Sequence, residues 1–258
     1  REFSDFNVLD IYEEIIKLRM VKSRAEVKLI EQSIKLTRKA LLSAQKQVKS
    51  GKYEYEVAAK FLYEIKRQNG ILGFDTIVAS GLNATILHYP TLNSVINENE
   101  LVLLDLGGHN NMYTADISRT YPADKKFTKI GLAIYEIVLA CNKAVIEYIK
   151  PGLTLLDLQE FTKDFLKREL VQANLLKEKD NIEEVYYHGV SHHLGLDTHD
   201  PGLRSLPLKV GNVITVEPGL YFAKHGIGVR IEDNVLVTAK GSKNLSRNIP
   251  KEVEDILK

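Results

Sequence analysis

The sequence predicts an α+β fold of two similarly built halves around one cleft. Three observations predict it. In each half, capped amphipathic stretches come before a block of short strands rather than alternating with them one by one. The strands read as antiparallel hairpins joined by tight turns. Each block also carries one acid on an outgoing strand and a second on the returning strand, Asp105 with Asp116 and then Glu217 with Glu232.

Residues 10–19 alternate charged and apolar positions and read as a helical lead-in. Ser23 followed by Glu26 has the form of a capping box, opening a long helix striped by Val27, Ile30, Ile34, Leu41 and Leu42. It ends near Ser50 and Gly51, and a second helix spans 54–68 with Asn69 and Gly70 as its stop. Strands are expected at 76–80, 84–88, 101–106 and 113–121. A helix over 129–149 stops at Pro151 and Gly152, and Thr154 with Asp157 caps another that runs to about 170. After a charged loop, strands are expected at 186–196, 213–220 and 229–237.

The 258 residues are 44% hydrophobic and 27% charged, an ordinary balance for a chain that buries a core. A formal net charge of +1 gives no general attraction to nucleic acid or to an anionic membrane. No apolar run approaches the ~18 residues of a spanning helix. The lone thiol, Cys141, points to a reducing compartment, and a cytoplasmic location is expected.

The acids carry the chemistry. With a turn centred on Asn110 and Asn111, Asp105 lies opposite Asp116 on one face of the ladder, their Cβ atoms roughly 5 Å apart. With a loop centred on Lys224 and His225, Glu217 lies opposite Glu232. Like charges placed so are destabilising unless a cation lies between them or one takes a proton. Between these hairpins comes a segment holding His188, His192, His193 and His199. In an extended chain His188 and His192 share a face and His193 points to the other. Four carboxylates and the His192 imidazole make a ligand set for two divalent cations. Their carboxylate character suits Mn²⁺, with Co²⁺, Zn²⁺ or Fe²⁺ also feasible. Two such cations about 3.5–4 Å apart can share a hydroxide that attacks a carbonyl.

The run from Asp105 through Thr114, Asp116 and Thr120 resembles the pita-bread metallopeptidases. So do His188 to His192, Thr215 to Gly219, and Gly228 to Asp233. Within that group the chain is similar to the Xaa-Pro aminopeptidases and prolidases rather than the methionine aminopeptidases. The match runs from about Met20 to the C-terminus. It implies a curved antiparallel sheet with flanking helices over 20–258, with residues 1–19 the linker or tail of a preceding domain. It implies that Asp105 chelates one metal, that Asp116 and Glu232 bridge both, and that His192 and Glu217 complete the second. Glu217 would also serve as the base. His88 would stand on the substrate side, His199 would polarise the scissile carbonyl and steady the tetrahedral intermediate, His188 and Arg230 would bind the peptide beyond the scissile bond, and Tyr221 would wall a proline pocket. The implied substrate is a peptide with proline in second position, and the chain could form a homo-oligomer. A prolidase acting on dipeptides is the alternative, and a non-catalytic peptide-binding module is a third reading. His193 departs from the aromatic residue often found after the ligand histidine.

Overall fold

The computed structural model describes residues 9–258. Residues 1–8, the first part of the expected linker, lie outside the described residues. The helices are α1 (Tyr12–Met20), α2 (Arg24–Ala44), α3 (Glu54–Arg67), α4 (Lys129–Tyr148), α5 (Leu155–Gln172) and the short α6 (Val253–Ile256). The first half holds β1 (Ile71–Leu72), β2 (Ile77–Ser80), β3 (Leu101–Leu106), β4 (Gly108–Asn110), β5 (Tyr113–Thr114) and β6 (Ile117–Pro122). The second holds β7 (Val213–Val216), β8 (Gly219–Phe222), β9 (Ile227–Arg230), β10 (Asp233–Thr238) and β11 (Gly241–Asn244). Every strand pairing is antiparallel, in the orders β2-β3-β6, β1-β4-β5, β11-β10-β7 and β8-β9. In each half a helix pair covers strands: α2 packs on α3 and β4, and α4 on α5 and β11.

The helices begin where their caps dictate. Ser23 Oγ accepts from the Glu26 N–H, and Glu26 accepts from the Ser23 N–H at 2.7 Å, closing the predicted box. Thr154 and Asp157 do the same for α5. Such a cap contributes about 1 kcal/mol. The stripe of α2 is what holds it down: Ile30 and Leu41 are fully buried, and truncating either to alanine costs about 2–5 kcal/mol. Close approach of α2 to the sheet depends on Gly108, where a Cβ would sit 3.0 Å from the side chains of Leu36 and Ile65. The Gly108 N–H donates to Thr37 Oγ1 at 2.8 Å, tying helix to strand.

Three sequence expectations change. The first hairpin turns at Asn111 and Met112 (φ 49° and 70°), one residue later than expected, so Asp105 pairs with Ser118 rather than Asp116. The core decides this: the ladder places Leu106 opposite Ile117, both fully buried, and Ser33 Oγ donates to the Tyr113 carbonyl at 2.7 Å. The shift along the partner strand is two residues, so Asp105 and Asp116 stay on one face as diagonal neighbours. Second, 84–88 is not a strand. The chain turns through a short 3₁₀ segment, Gly81–Thr85, and its Ala84 backbone lies so near Gly228 that a Cβ there would be 2.0 Å from the Ala84 carbonyl oxygen.

Third, 186–196 is not a regular strand, although it runs beside β7. Val190, His192 and Leu194 share backbone bonds with Glu217, Thr215 and Val213. Two of its other N–H groups go to side chains. Val190 N–H donates to Gln159 Oε1 and His192 N–H to Thr215 Oγ1. The second hairpin keeps the expected register, with Gly219 opposite Arg230 and Val216 opposite Asp233 on either side of Glu217 and Glu232. Among the described residues no helix is long and apolar enough to cross a membrane.

Candidate metal centre

Nine of the ten residues singled out in the sequence line one cavity of about 420 Å³: His88, Asp105, Asp116, His188, His192, His199, Glu217, Arg230 and Glu232. Tyr221, the tenth, stands behind it, its hydroxyl 2.9 Å from both His188 Nε2 and Arg230 Nη1. Asp105 comes from the end of β3 and Asp116 from the break between β5 and β6. Glu217 and Glu232 face each other in the gap where the β7–β10 ladder gives way to β8–β9. His192 is brought to Glu217 by the backbone bonds that tie its segment to β7.

Two overlapping groups of potential ligand atoms result, each within 4.8 Å: Asp105, Asp116 and Glu232, and His192, Glu217 and Glu232. Glu232 belongs to both, and His192 Nε2 also lies 3.4 Å from Asp116 Oδ2. A third group joins His199 to Asp116 and His192. His192 Nδ1 sits 2.9 Å from the His193 carbonyl. With Nδ1–H donating there, Nε2 keeps its lone pair for the cluster.

The electrostatics fit cations. Burial and then the Asp105 charge push the Asp116 carboxyl well above its ordinary range. Burial and then Asp116 do the same for Glu232. Glu217 is also raised by burial, partly opposed by His192 and Arg230. Asp105 Oδ1 and Glu232 Oε1 are buried without a hydrogen-bond partner, although each costs roughly 1–3 kcal/mol so. Oxygen atoms that no protein donor satisfies, in carboxylates that repel one another, are what a pair of divalent cations requires.

Residues the sequence reading missed hold this cluster in shape. Ser118 Oγ donates to Glu232 Oε2 at 2.7 Å, and Thr215 Oγ1 to Glu217 Oε1 at 3.1 Å. Both sit two residues from a ligand on the same strand face, so alternation alone could have flagged them. Asn234 clamps the Asp116 backbone, accepting from its N–H and donating to its carbonyl at 2.6 Å. Nothing local signals that contact.

Arg230 was expected to bind peptide. Its guanidinium donates to Asp105 Oδ2, Ser118 Oγ and the Tyr221 hydroxyl, so it braces the cluster from one side. Burial works against its charge, but Tyr221, Asp105 and Glu217 hold it protonated. Burial, then Arg230, lowers His188 to about 3. Neutral His188 can give Nδ1–H to the Gly189 carbonyl and accept the Tyr221 O–H at Nε2. His199 lies with its ring 4.3 Å from that of His192, and burial, then His192, lowers its pKa. His193 is buried at the edge of the same cavity, its ring filling the space above Gly202, where a Cβ would come within 2.0 Å.

The description of metallopeptidase family M24 matches residues 28–239. The chain belongs to that family. A Xaa-Pro aminopeptidase of Haemophilus influenzae is 36% identical over 96% of this chain, which spans 63% of that relative. A Xaa-Pro dipeptidase of Pyrococcus furiosus is 35% identical over 96% of this chain and 69% of its own length. A solved Bacillus anthracis structure assigned as an aminopeptidase P superposes with a TM-score of 0.96 at 41% identity, covering 99% of this chain and 62% of that one. The fold is therefore the pita-bread fold, and this M24 chain spans less than two thirds of the Haemophilus relative's length.

Proposed function

We propose that residues 20–258 form the catalytic domain of a metal-dependent exopeptidase that hydrolyses the bond between an N-terminal residue and proline. One observation carries the reading. Four carboxylates and an imidazole converge beside a pocket wall that includes His188, with Tyr221 hydrogen-bonded behind it. Two divalent cations bound by Asp105, Asp116, His192, Glu217 and Glu232 would supply Lewis acidity to a water and to the scissile carbonyl. Carboxylate oxygens around one imidazole favour Mn²⁺, and we assign the protein to the cytoplasm, where its buried Cys141 stays reduced.

The protein groups do the rest. Glu217 takes the proton of the attacking water and returns it to the proline nitrogen as the bond breaks. His199 and His88 flank the cavity where the carbonyl oxygen gains charge, and both can donate to it. Arg230 holds Asp105 in position through its 2.8 Å contact with Oδ2. The amide before proline has no N–H, so the cleft needs a shaped wall rather than an acceptor. His188, kept uncharged, can present a ring face to the pyrrolidine without a desolvated charge.

The Pyrococcus relative gives the second reading, a dipeptidase on the same centre. Release of the first residue from Xaa-Pro dipeptides and from longer Xaa-Pro peptides, with Mn²⁺ and then with chelator, tests both. Metal-dependent cleavage of the longer peptides is expected, and cleavage confined to dipeptides would replace the first reading with the second. Glu217→Ala should abolish turnover, and an unchanged rate would remove Glu217 as the base.

A further inference from the structure

The turn that carries His199 is closed by ion pairs from outside it. Asp200 N–H donates to the His193 carbonyl at 2.9 Å, and these two residues form a short antiparallel bridge. Between them Gly195 N–H donates to the Asp197 carbonyl, and Asp197 N–H to Asp200 Oδ1. Thr198 and His199 are the two residues between the acids. Asp200 is anchored. Its Oδ2 accepts from the Lys22 ammonium at 2.8 Å, both side chains are buried, and a Cβ on Gly195 would sit 2.7 Å from that oxygen. Lys22 is fixed in turn by its N–H, which donates to the Gly211 carbonyl at 2.8 Å. The Asp197 side chain is largely exposed, and among the described residues its carboxylate has one cationic partner, Arg19.

Arg19, in the last turn of α1, joins the two acids. Its Nη2 donates to Asp197 Oδ2 at 2.7 Å and also to Asp200 Oδ1. The His199 ring is placed by this backbone and by its contact with the His192 ring. We propose that Arg19 is a positioning residue for the reaction: by stapling Asp197 to Asp200 it holds the turn that aims His199 at the scissile carbonyl. The inference rests on the role given to His199 in the function proposed above. Arg19 lies ahead of the domain assigned there to residues 20–258, so the preceding helix contributes to the site. An ion pair with so exposed an acid adds little to folding stability. A donor to a developing oxyanion acts only when aimed, and a displacement of about 1 Å can lower a rate about a hundredfold.

The test is a double-mutant cycle on the Mn²⁺-loaded protein with one Xaa-Pro tripeptide. Arg19→Gln should lower kcat about tenfold or more and leave KM within about twofold, with the urea midpoint nearly unchanged. In the His199→Ala protein the same change should have little further effect, because the group it positions is gone. A fraction of unfolded protein would lower kcat equally in both backgrounds, so the cycle separates misfolding from positioning. Both contacts come from one nitrogen, which an ammonium can replace, so Arg19→Lys should keep most of the wild-type kcat. In metal-free protein the ring-proton signals of His199, identified by their loss in His199→Ala, should shift in Arg19→Gln, while those of His225 between β8 and β9 stay. An unchanged kcat in Arg19→Gln, losses that multiply with His199→Ala, or unmoved His199 signals overturn the positioning role and leave the exopeptidase intact. A wild-type protein that cleaves no Xaa-Pro peptide overturns both.

Discussion

Glu232 and Asp233 are chain neighbours, both fully buried carboxylates, and the protein treats them in opposite ways. Asp233 receives Arg119 at 2.8 Å, Ser246 Oγ at 2.7 Å and the Lys251 ammonium. Burial alone would raise its pKa, but Arg119 and Lys251 drive it far below the ordinary carboxylate range. Glu232 receives one hydroxyl, from Ser118, keeps an unpartnered oxygen, and faces Asp116. Its pKa moves the other way. Successive side chains on a strand point to opposite faces, so one step along the backbone separates a finished ion pair from a set of oxygens that call for an external cation. The lesson is that a buried acid signals function by the company it lacks, and burial alone does not distinguish the two.

The largest expected effect tests the Glu232 side. Glu232→Gln should lower turnover about a thousandfold or more, some 4 kcal/mol of barrier, read as release of the first residue in Mn²⁺. Full activity would mean that Glu232 is as structural as its neighbour. Asp233→Asn should instead cost about 3–5 kcal/mol in urea unfolding, because it leaves Arg119 buried without its counter-charge. A cost under about 1 kcal/mol would erase the contrast. Mn²⁺ at about a hundred times its dissociation constant should stabilise the wild-type protein by about 2.7 kcal/mol, seen as a higher melting temperature. Asp233→Asn should keep most of that increment and Glu232→Gln should lose it; the reverse pattern would exchange the roles.

The smallest effect is in pH. Asp116 and Glu232 have folded pKa values above their unfolded ones. In metal-free protein they add stability as pH falls through their folded values toward about 4, since the folded state binds the extra protons. Asp233 has a folded value below its unfolded one, and its stabilisation is lost as pH drops below about 4. His188, His193 and His199 have folded values below their unfolded ones and lose stability over the same window, so the acids are read by difference. From neutral pH to about 4 the metal-free wild type should gain more stability, or lose less, than metal-free Glu232→Gln, and the wild type should weaken below about 4. Asp233→Asn should flatten only that acid limb. Equal changes in the wild type and Glu232→Gln between neutral pH and about 4, measured as the urea midpoint against pH, would show that Glu232 is not raised.

Much of the fold and of the site was legible because its signals are local or periodic. The Ser23 and Thr154 caps, the α2 stripe and the stops at Gly70 and Pro151 each depend on neighbours within a few residues. The face shared by Asp105 and Asp116 was legible even though the turn was misplaced, because a slip of two keeps strand parity. The irregular path of 186–196 was not legible, since Gln159 and Thr215 replace ladder bonds from distant positions. The Asn234 clamp on Asp116 and the Arg119 pairing with Asp233 join residues more than a hundred positions apart.

The sequence by itself determined which residue types could form a divalent-cation site and which strand faces would carry them, because side-chain direction follows a fixed backbone period. Only the tertiary structure decided which buried acids receive internal cations and which remain for an external one. Those outcomes are set by distances between separate chain segments, and packing of the whole core fixes them.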